Sequence, residues 1–160
     1  MVVIIKPSYA CNLRCKYCYL SNETKTEVDS FDIEFAKHII LNLKQVLSAQ
    51  HKRKLNIIWH GGEPLLWGVE NYREILQYSA IELSEFRVKH SIQTNLTLIN
   101  QDYIDLFKRY NVHIGFSLDG YKAINDSQRV FANGDGTHDV IMNKLELCNK
   151  HGLSSGCIIV

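Results

Sequence analysis

Proline is scarce in this chain, with two residues in 160, and no low-complexity stretch or linker divides it. A single compact domain is therefore expected, and hydrophobic side chains at 46% are enough to bury a core. The same composition excludes a disordered chain. Charge of one sign is also missing: 18 basic and 17 acidic side chains nearly cancel, with no long run of either. That balance lacks the electrostatic footprint of a nucleic-acid binder. The apolar opening VVIIKP is too short to span a membrane, and it has neither the basic flank nor the cleavage site of a secretory signal. The expected setting is soluble and cytoplasmic, with no membrane partner.

Cysteine does not form the even, spaced framework of a secreted disulfide scaffold. Of five, three crowd into SYACNLRCKYCYL as Cys11, Cys15 and Cys18, and two lie far away as Cys148 and Cys157. Reduced thiols that hold a metal fit this distribution better.

Short β-rich runs alternate with longer helical patterns, which is the signature of parallel βαβ units. The strand runs are VVII, LNIIW, HSIQT, HIGFSL and SSGCIIV. A first helix over SFDIEFAKHIILNLKQVLSAQ repeats Phe35, Ile39, Leu43 and Val46 as its expected apolar stripe, with Lys37 and Lys44 turned away. A second carries Tyr72, Ile75, Leu76 and Leu83, and a third Tyr103, Leu106, Phe107 and Tyr110. The fourth starts at THD, with Thr137 as expected cap and Asp139 in its first turn; it runs through Ile141, Leu145 and Cys148 until Gly152 stops it. The fold class is thus α/β, a partial (β/α) barrel of about five parallel strands with outer helices. The order halts on an apolar strand and is expected to be cut short there.

In a sheet wound this way, the loops leaving the carboxyl ends of the strands gather on one rim, where ligands bind. The cysteines follow the first strand, HGGEP the second, QTN closes the third and SLDG the fourth, so all four land on that rim. Thiolates are the usual ligands of iron-sulfur clusters, and three of them leave one iron of a cubane open to an outside molecule. A structural zinc completed by His60 or a distant cysteine, and plain buried thiols, are the alternatives. Gly61 and Gly62 let a ligand approach the backbone closely, Glu63 adds an acceptor suited to an ammonium group, and Pro64 stiffens the exit.

The C-x3-C-x2-C spacing, with Tyr17 just before the last cysteine, resembles the signature of radical S-adenosylmethionine (SAM) enzymes. The resemblance implies a 4Fe-4S cluster on Cys11, Cys15 and Cys18, its open iron chelated by SAM, and reductive cleavage to methionine and a 5′-deoxyadenosyl radical. GGE, here Gly61 to Glu63, implies the place of the methionyl amino group. It also implies cofactor contact by Asn95 and Ser117, near Gln93 and Thr94, and by Arg129, whose fork suits a carboxylate. Turn formation, capping or a solvated surface arginine are the plainer readings of these polar residues. Asp119 either orients substrate or caps a turn. His60 either lines the pocket or is structural, and the other histidines are expected at the surface or in turns. Cys148 and Cys157 are expected to be small buried hydrophobes.

WHGGEPLL, QTNLTLI, GFSLDG and NDSQR followed by NGDGTHD resemble the SPASM-type branch, which includes anaerobic sulfatase-maturating enzymes and maturases of ribosomal peptides. The resemblance implies a peptide or protein substrate and an electron donor such as flavodoxin or ferredoxin. The reading for residues 1–160 is a radical SAM core ending after its fifth strand, without the cysteine-rich SPASM domain. A metal-stabilised binding module and an inactive remnant are the alternatives.

Overall fold

The computed structural model describes residues 1–26, 30–153 and 155–159. Five strands, β1 (Val2–Ile5), β2 (Lys54–Trp59), β3 (Arg87–Thr94), β4 (His113–Ser117) and β5 (Ser155–Ile158), lie side by side in chain order. Every neighbouring pair is parallel, and the sheet is not closed. Ser154 and Val160, both in the run expected as the last strand, lie outside the described residues.

Register explains which face became the core. Ile5 pairs with Trp59, Trp59 with Ile92, and Ile92 with Ile114, so one row of large apolar side chains points the same way from four strands. All four are at most 5% exposed, beneath α2 (Ile33–Ala49), α3 (Val69–Glu82), α4 (Gln101–Arg109) and α6 (His138–Lys150). Val2 and Ile4, on the opposite face by alternation, are exposed. Shorter helices α1 (Asn22–Thr26) and α5 (Lys122–Gln128), and a 3-10 helix over Pro64–Trp67, fill connections on the rim.

An aromatic cluster anchors that 3-10 helix behind the glycine turn. Tyr72 meets Trp59 and Trp67 edge-on, with ring centroids 5.5 and 5.1 Å apart. Pairs of this kind add about 0.5–1.5 kcal/mol each beyond their burial. The two buried phenols are satisfied by backbone: Tyr72 donates to the Pro64 carbonyl at 3.1 Å and Tyr103 to the Leu65 carbonyl at 2.6 Å. The core thereby holds the segment that follows the second strand.

Several expectations are corrected. The buried stripe of α2 is Ala36, Ile40 and Leu47 with Ile39 and Leu43 at its flank, whereas Phe35 and Val46 are exposed. The stripe is thus rotated by about one residue. Phe35 sits in the first turn, where its N–H is taken by the cap residue Asp32 and its ring meets Phe31 edge-on at the margin of the core. Thr137 occupies the N-cap position of α6 without capping it. Its hydroxyl donates to the Arg129 carbonyl, and Asp126 accepts the His138 N–H instead. Residues just before Arg129 form helix α5, which is not among the four helices expected from sequence. Cys157 is exposed, because β5 is an edge strand and no helix among the described residues covers that side of it. His90 is buried, although a surface or turn position was expected; it accepts from Trp59 and is bonded to Ser79.

Candidate functional site

The cysteine loop is held to the rest of the chain mainly by backbone contacts, while the Cys11 sulfur accepts locally from Leu13 N–H. The Cys11 N–H donates to the Lys25 carbonyl at 3.1 Å, Arg14 N–H to Val130 at 2.7 Å and Lys16 N–H to Gln128 at 2.9 Å. Leu13, 1% exposed, bridges to Phe131. The Arg14 guanidinium donates to the carbonyls of Cys11 and Leu13, and the Cys18 N–H to the Cys15 carbonyl. This holds the loop against residues 128–131 and leaves all three thiols half-buried.

The glycine turn nests under the start of this loop. Gly62 N–H donates to Ser8 and Glu63 N–H to Ala10, at 3.1 and 2.7 Å. A side chain at Gly61 would strike the Ser8 carbonyl, and one at Gly62 the carbonyls of Tyr9 and Ala10. Gly61 also has a φ of +130°, which other residues rarely adopt. Glycine is required here because two backbones touch.

Glu63 is placed differently from an exposed acceptor. Its carboxylate is fully buried, accepting from Leu65 N–H at 3.0 Å, the Thr94 hydroxyl at 2.6 Å and Asn95 N–H at 2.7 Å. Burial pushes its carboxyl up, while these three donors pull it back. The side chain therefore clamps the ends of β2 and β3 and does not line the cavity, whose wall at this turn is Gly61 and Gly62.

Beyond the clamp, Asn95 donates through its amide to Asn12 at 2.8 Å and lies near the Cys11 sulfur at 4.0 Å. Its side-chain oxygen accepts from both N–H and hydroxyl of Thr97. Ser117 accepts from the Gln93 amide at 3.1 Å, and Gln93 lies across Gly115, where any side chain would collide with it. Arg129 is 5% exposed, so it is not a solvated surface arginine. It donates to the Tyr17 hydroxyl at 2.7 Å, and Tyr17 donates to Asp119 at 2.6 Å.

These residues surround one cavity of about 360 Å³. Cys11, Cys15, Cys18, Tyr17, Gly61, Gly62, Asn95, Ser117 and Arg129 all border it; Glu63 alone of the expected set does not. His60 also borders it. Its Nδ1 accepts from Gly61 N–H at 2.7 Å, which leaves Nε2 as the protonated nitrogen, and burial followed by the nearby Lys6 charge lowers its pKa. Tyr19 and Leu20 line the wall too; their position directly after Cys18 is the signal that could have flagged them.

The donor set suits a soft metal assembly. Burial pushes the Cys11 thiol up to about 11. Burial also raises Cys15, but the cations Arg129 and Lys25 oppose it. Among the described residues, no three His, Cys, Asp or Glu side chains converge on a point that would hold one ion. Three thiolates on one loop suit a multi-iron cluster, in which each would take a different iron.

Comparison with known proteins agrees with this geometry. The Radical SAM superfamily model matches residues 5–160. A cysteine-type anaerobic sulfatase-maturating enzyme of Clostridium novyi is 33% identical over 99% of this chain and 43% of its own length. A serine-type enzyme of Klebsiella aerogenes is 32% identical over 99% and 39%. The solved structure of native anSMEcpe with bound AdoMet superposes with a TM-score of 0.87 at 26% identity, covering 99% of this chain and 44% of that one. A structure of the same protein with bound AdoMet and the Cp18Cys peptide gives 0.86 at 25% identity, with coverage of 99% and 42%. The chain therefore spans less than half the length of these relatives. Fold, rim and family model agree along nearly the whole sequence, and the chain belongs to the radical SAM superfamily.

Proposed function

We propose that residues 1–160 form the core of a radical SAM enzyme that modifies a peptide or protein. Cys11, Cys15 and Cys18 would hold a 4Fe-4S cluster, and the cavity they share with Gly61, Gly62, Asn95, Ser117 and Arg129 would receive SAM. When bound and reduced by a donor such as flavodoxin or ferredoxin, cluster and cofactor together supply a 5′-deoxyadenosyl radical able to abstract hydrogen.

The protein's own part is binding and orientation. Gly61 and Gly62 border the cavity while the Glu63 carboxylate is turned away from it, so their backbone would form the wall beside the methionyl end of SAM. The Arg129 fork suits the SAM carboxylate, because its Nε is buried with no hydrogen-bond partner among the described residues. Ser117 and Asn95 offer a hydroxyl and an amide to the remaining polar groups. Leu13 and Leu20 supply apolar wall that excludes water around the reacting centre.

The observation that carries this reading is the convergence of three thiols, the glycine pair and the arginine on a single cavity wall. A peptide substrate is supported by the sulfatase-maturating relatives and by the peptide held in a solved neighbour. Anaerobic reconstitution with iron and sulfide, followed by reductant and SAM, is expected to release 5′-deoxyadenosine. Protein that takes up zinc, carries no sulfide and leaves SAM intact would instead be a metal-stabilised binding module.

A further inference from the structure

We infer that Asp119 is a positioning residue: through the phenol of Tyr17 it sets the Arg129 fork and ties the cysteine loop to the segment leaving α5. The Tyr17 hydroxyl is the hinge of this arrangement. It accepts from Arg129 Nη1 at 2.7 Å and donates to Asp119 Oδ2 at 2.6 Å, joining residues 112 and 102 positions apart. Both charged partners are nine-tenths buried or more, at 5% and 4% exposure, while Tyr17 between them is 41% exposed.

The anchor at the far end is itself fixed. Asp119 N–H donates to the Asn125 side chain at 3.3 Å, and Asn125, fully buried, donates onward to Thr137, whose hydroxyl caps the Arg129 carbonyl. Backbone and side chain of Arg129 are thus both located from β4 and α5. Among the described residues, Tyr17 connects that frame by side-chain hydrogen bonds to the loop between Cys15 and Cys18, beside the backbone bonds of Arg14 and Lys16. Among the described residues, Asp119 Oδ1 and Arg129 Nε have no hydrogen-bond partner, so the node can take a further polar group.

A hydroxyl bridging an anion and a guanidinium does two things. It fixes the direction in which the remaining guanidinium N–H groups point, and it resists outward motion of the loop. The second effect does not depend on any ligand; the first rests on the assignment of this cavity to SAM.

Limited proteolysis of the cluster-free chain reads the tether alone. Trypsin cleavage after Lys16, an exposed residue inside the loop, requires local opening. Asp119→Ala and Tyr17→Phe are each expected to accelerate it about tenfold, the size set by losing a charge-assisted hydrogen bond. Cleavage after Lys52, in a distant exposed turn, should not change. Asp119→Asn, which still accepts from the phenol, should return the rate to within about twofold of wild type. Tyr17→Phe decides the matter should Asp119→Ala fail to fold.

Equilibrium binding of SAM and of decarboxylated SAM to the iron-loaded chain reads the fork. Wild type should prefer SAM, and Asp119→Ala should lose about tenfold of that preference without weakening decarboxylated SAM. Unchanged cleavage after Lys16 in all variants overturns the proposal, as does faster cleavage with the SAM preference intact. Should loaded wild type bind neither compound, the assignment to SAM fails, and the proteolysis still decides whether Asp119 holds the loop.

Discussion

Glu63 Oε2 accepts the backbone N–H of Asn95 at 2.7 Å, and this one bond joins the exits of two neighbouring strands across 32 residues of sequence. The other oxygen takes Leu65 N–H and the Thr94 hydroxyl, so the whole carboxylate is committed to the protein. A residue that sequence assigns to a ligand is here the bracket that shapes the wall against which a ligand rests.

Replacing Glu63 by Gln puts an NH2 group where only donors wait. One of the three bonds must be lost with its donor left buried, which costs about 1–3 kcal/mol. At roughly 2–4 °C per kcal/mol for a domain of this size, the melting temperature should fall by several degrees, with Glu63→Ala lower still. Thermal unfolding by circular dichroism measures this, and an unchanged midpoint would show that the bracket carries no load.

His90 gives the fold a defined acid sensitivity. Burial lowers its pKa from 6.5 to about 4, so the folded state holds it neutral while the unfolded chain protonates near 6.5. Stability from this group is complete above that value and is lost as pH falls through the window toward 4. At about 1.4 kcal/mol per pH unit the full loss over this window is about 3.5 kcal/mol. Urea unfolding at pH 7, 6 and 5 should show the decline in wild type, and His90→Phe should flatten that part of the profile.

Gly62 and Gly156 form a matched test of close approach. A methyl group at Gly62 would enter the carbonyls of Tyr9 and Ala10, whereas at Gly156 the nearest atom is His113 Nε2 at 3.7 Å, an ordinary contact. Gly62→Ala should cost about 1–3 kcal/mol or more and displace the cysteine loop. Gly156→Ala should stay within about 0.5 kcal/mol of wild type in chemical denaturation.

Metal removal should leave the loop folded. The amides of Cys11, Arg14 and Lys16 are bonded to carbonyls elsewhere in the chain and need no ion to find their partners. Hydrogen exchange with and without chelator is expected to show similar protection at these three amides. Loss of protection on chelation would mean that the metal, and not the protein, organises the loop.

What sequence made legible here was periodic or local. Strand alternation locates the parallel units, and the rule that ligands gather at carboxyl strand ends places four motifs on one rim. The α2 stripe was misplaced by one residue because Phe35 and Val46 are as apolar as Ile40 and Leu47, and periodicity alone does not say which edge of a broad apolar stripe faces the sheet. Helix α5 was missed because KAINDSQ has only Ala123 and Ile124 as apolar residues. The Glu63 bracket, the His90 pair and the Tyr17 bridge join residues from 11 to 112 positions apart, and no local pattern encodes such partners.

Removing thiols one at a time separates ligands from bystanders. Cys15→Ala should abolish iron uptake into the site and SAM cleavage. Cys148→Ala, on the buried face of α6 and outside the residues that line the cavity, should leave both near wild type. Iron and sulfide analysis with a 5′-deoxyadenosine assay checks the pair.

The most direct test of the central claim is the electron paramagnetic resonance spectrum of the reconstituted, reduced chain before and after SAM is added. Three cysteine ligands leave one iron open, so SAM should shift the spectrum of about one cluster per chain. A cluster signal that SAM leaves unchanged would mean that the coordination is already complete, and the account of this site would be contradicted.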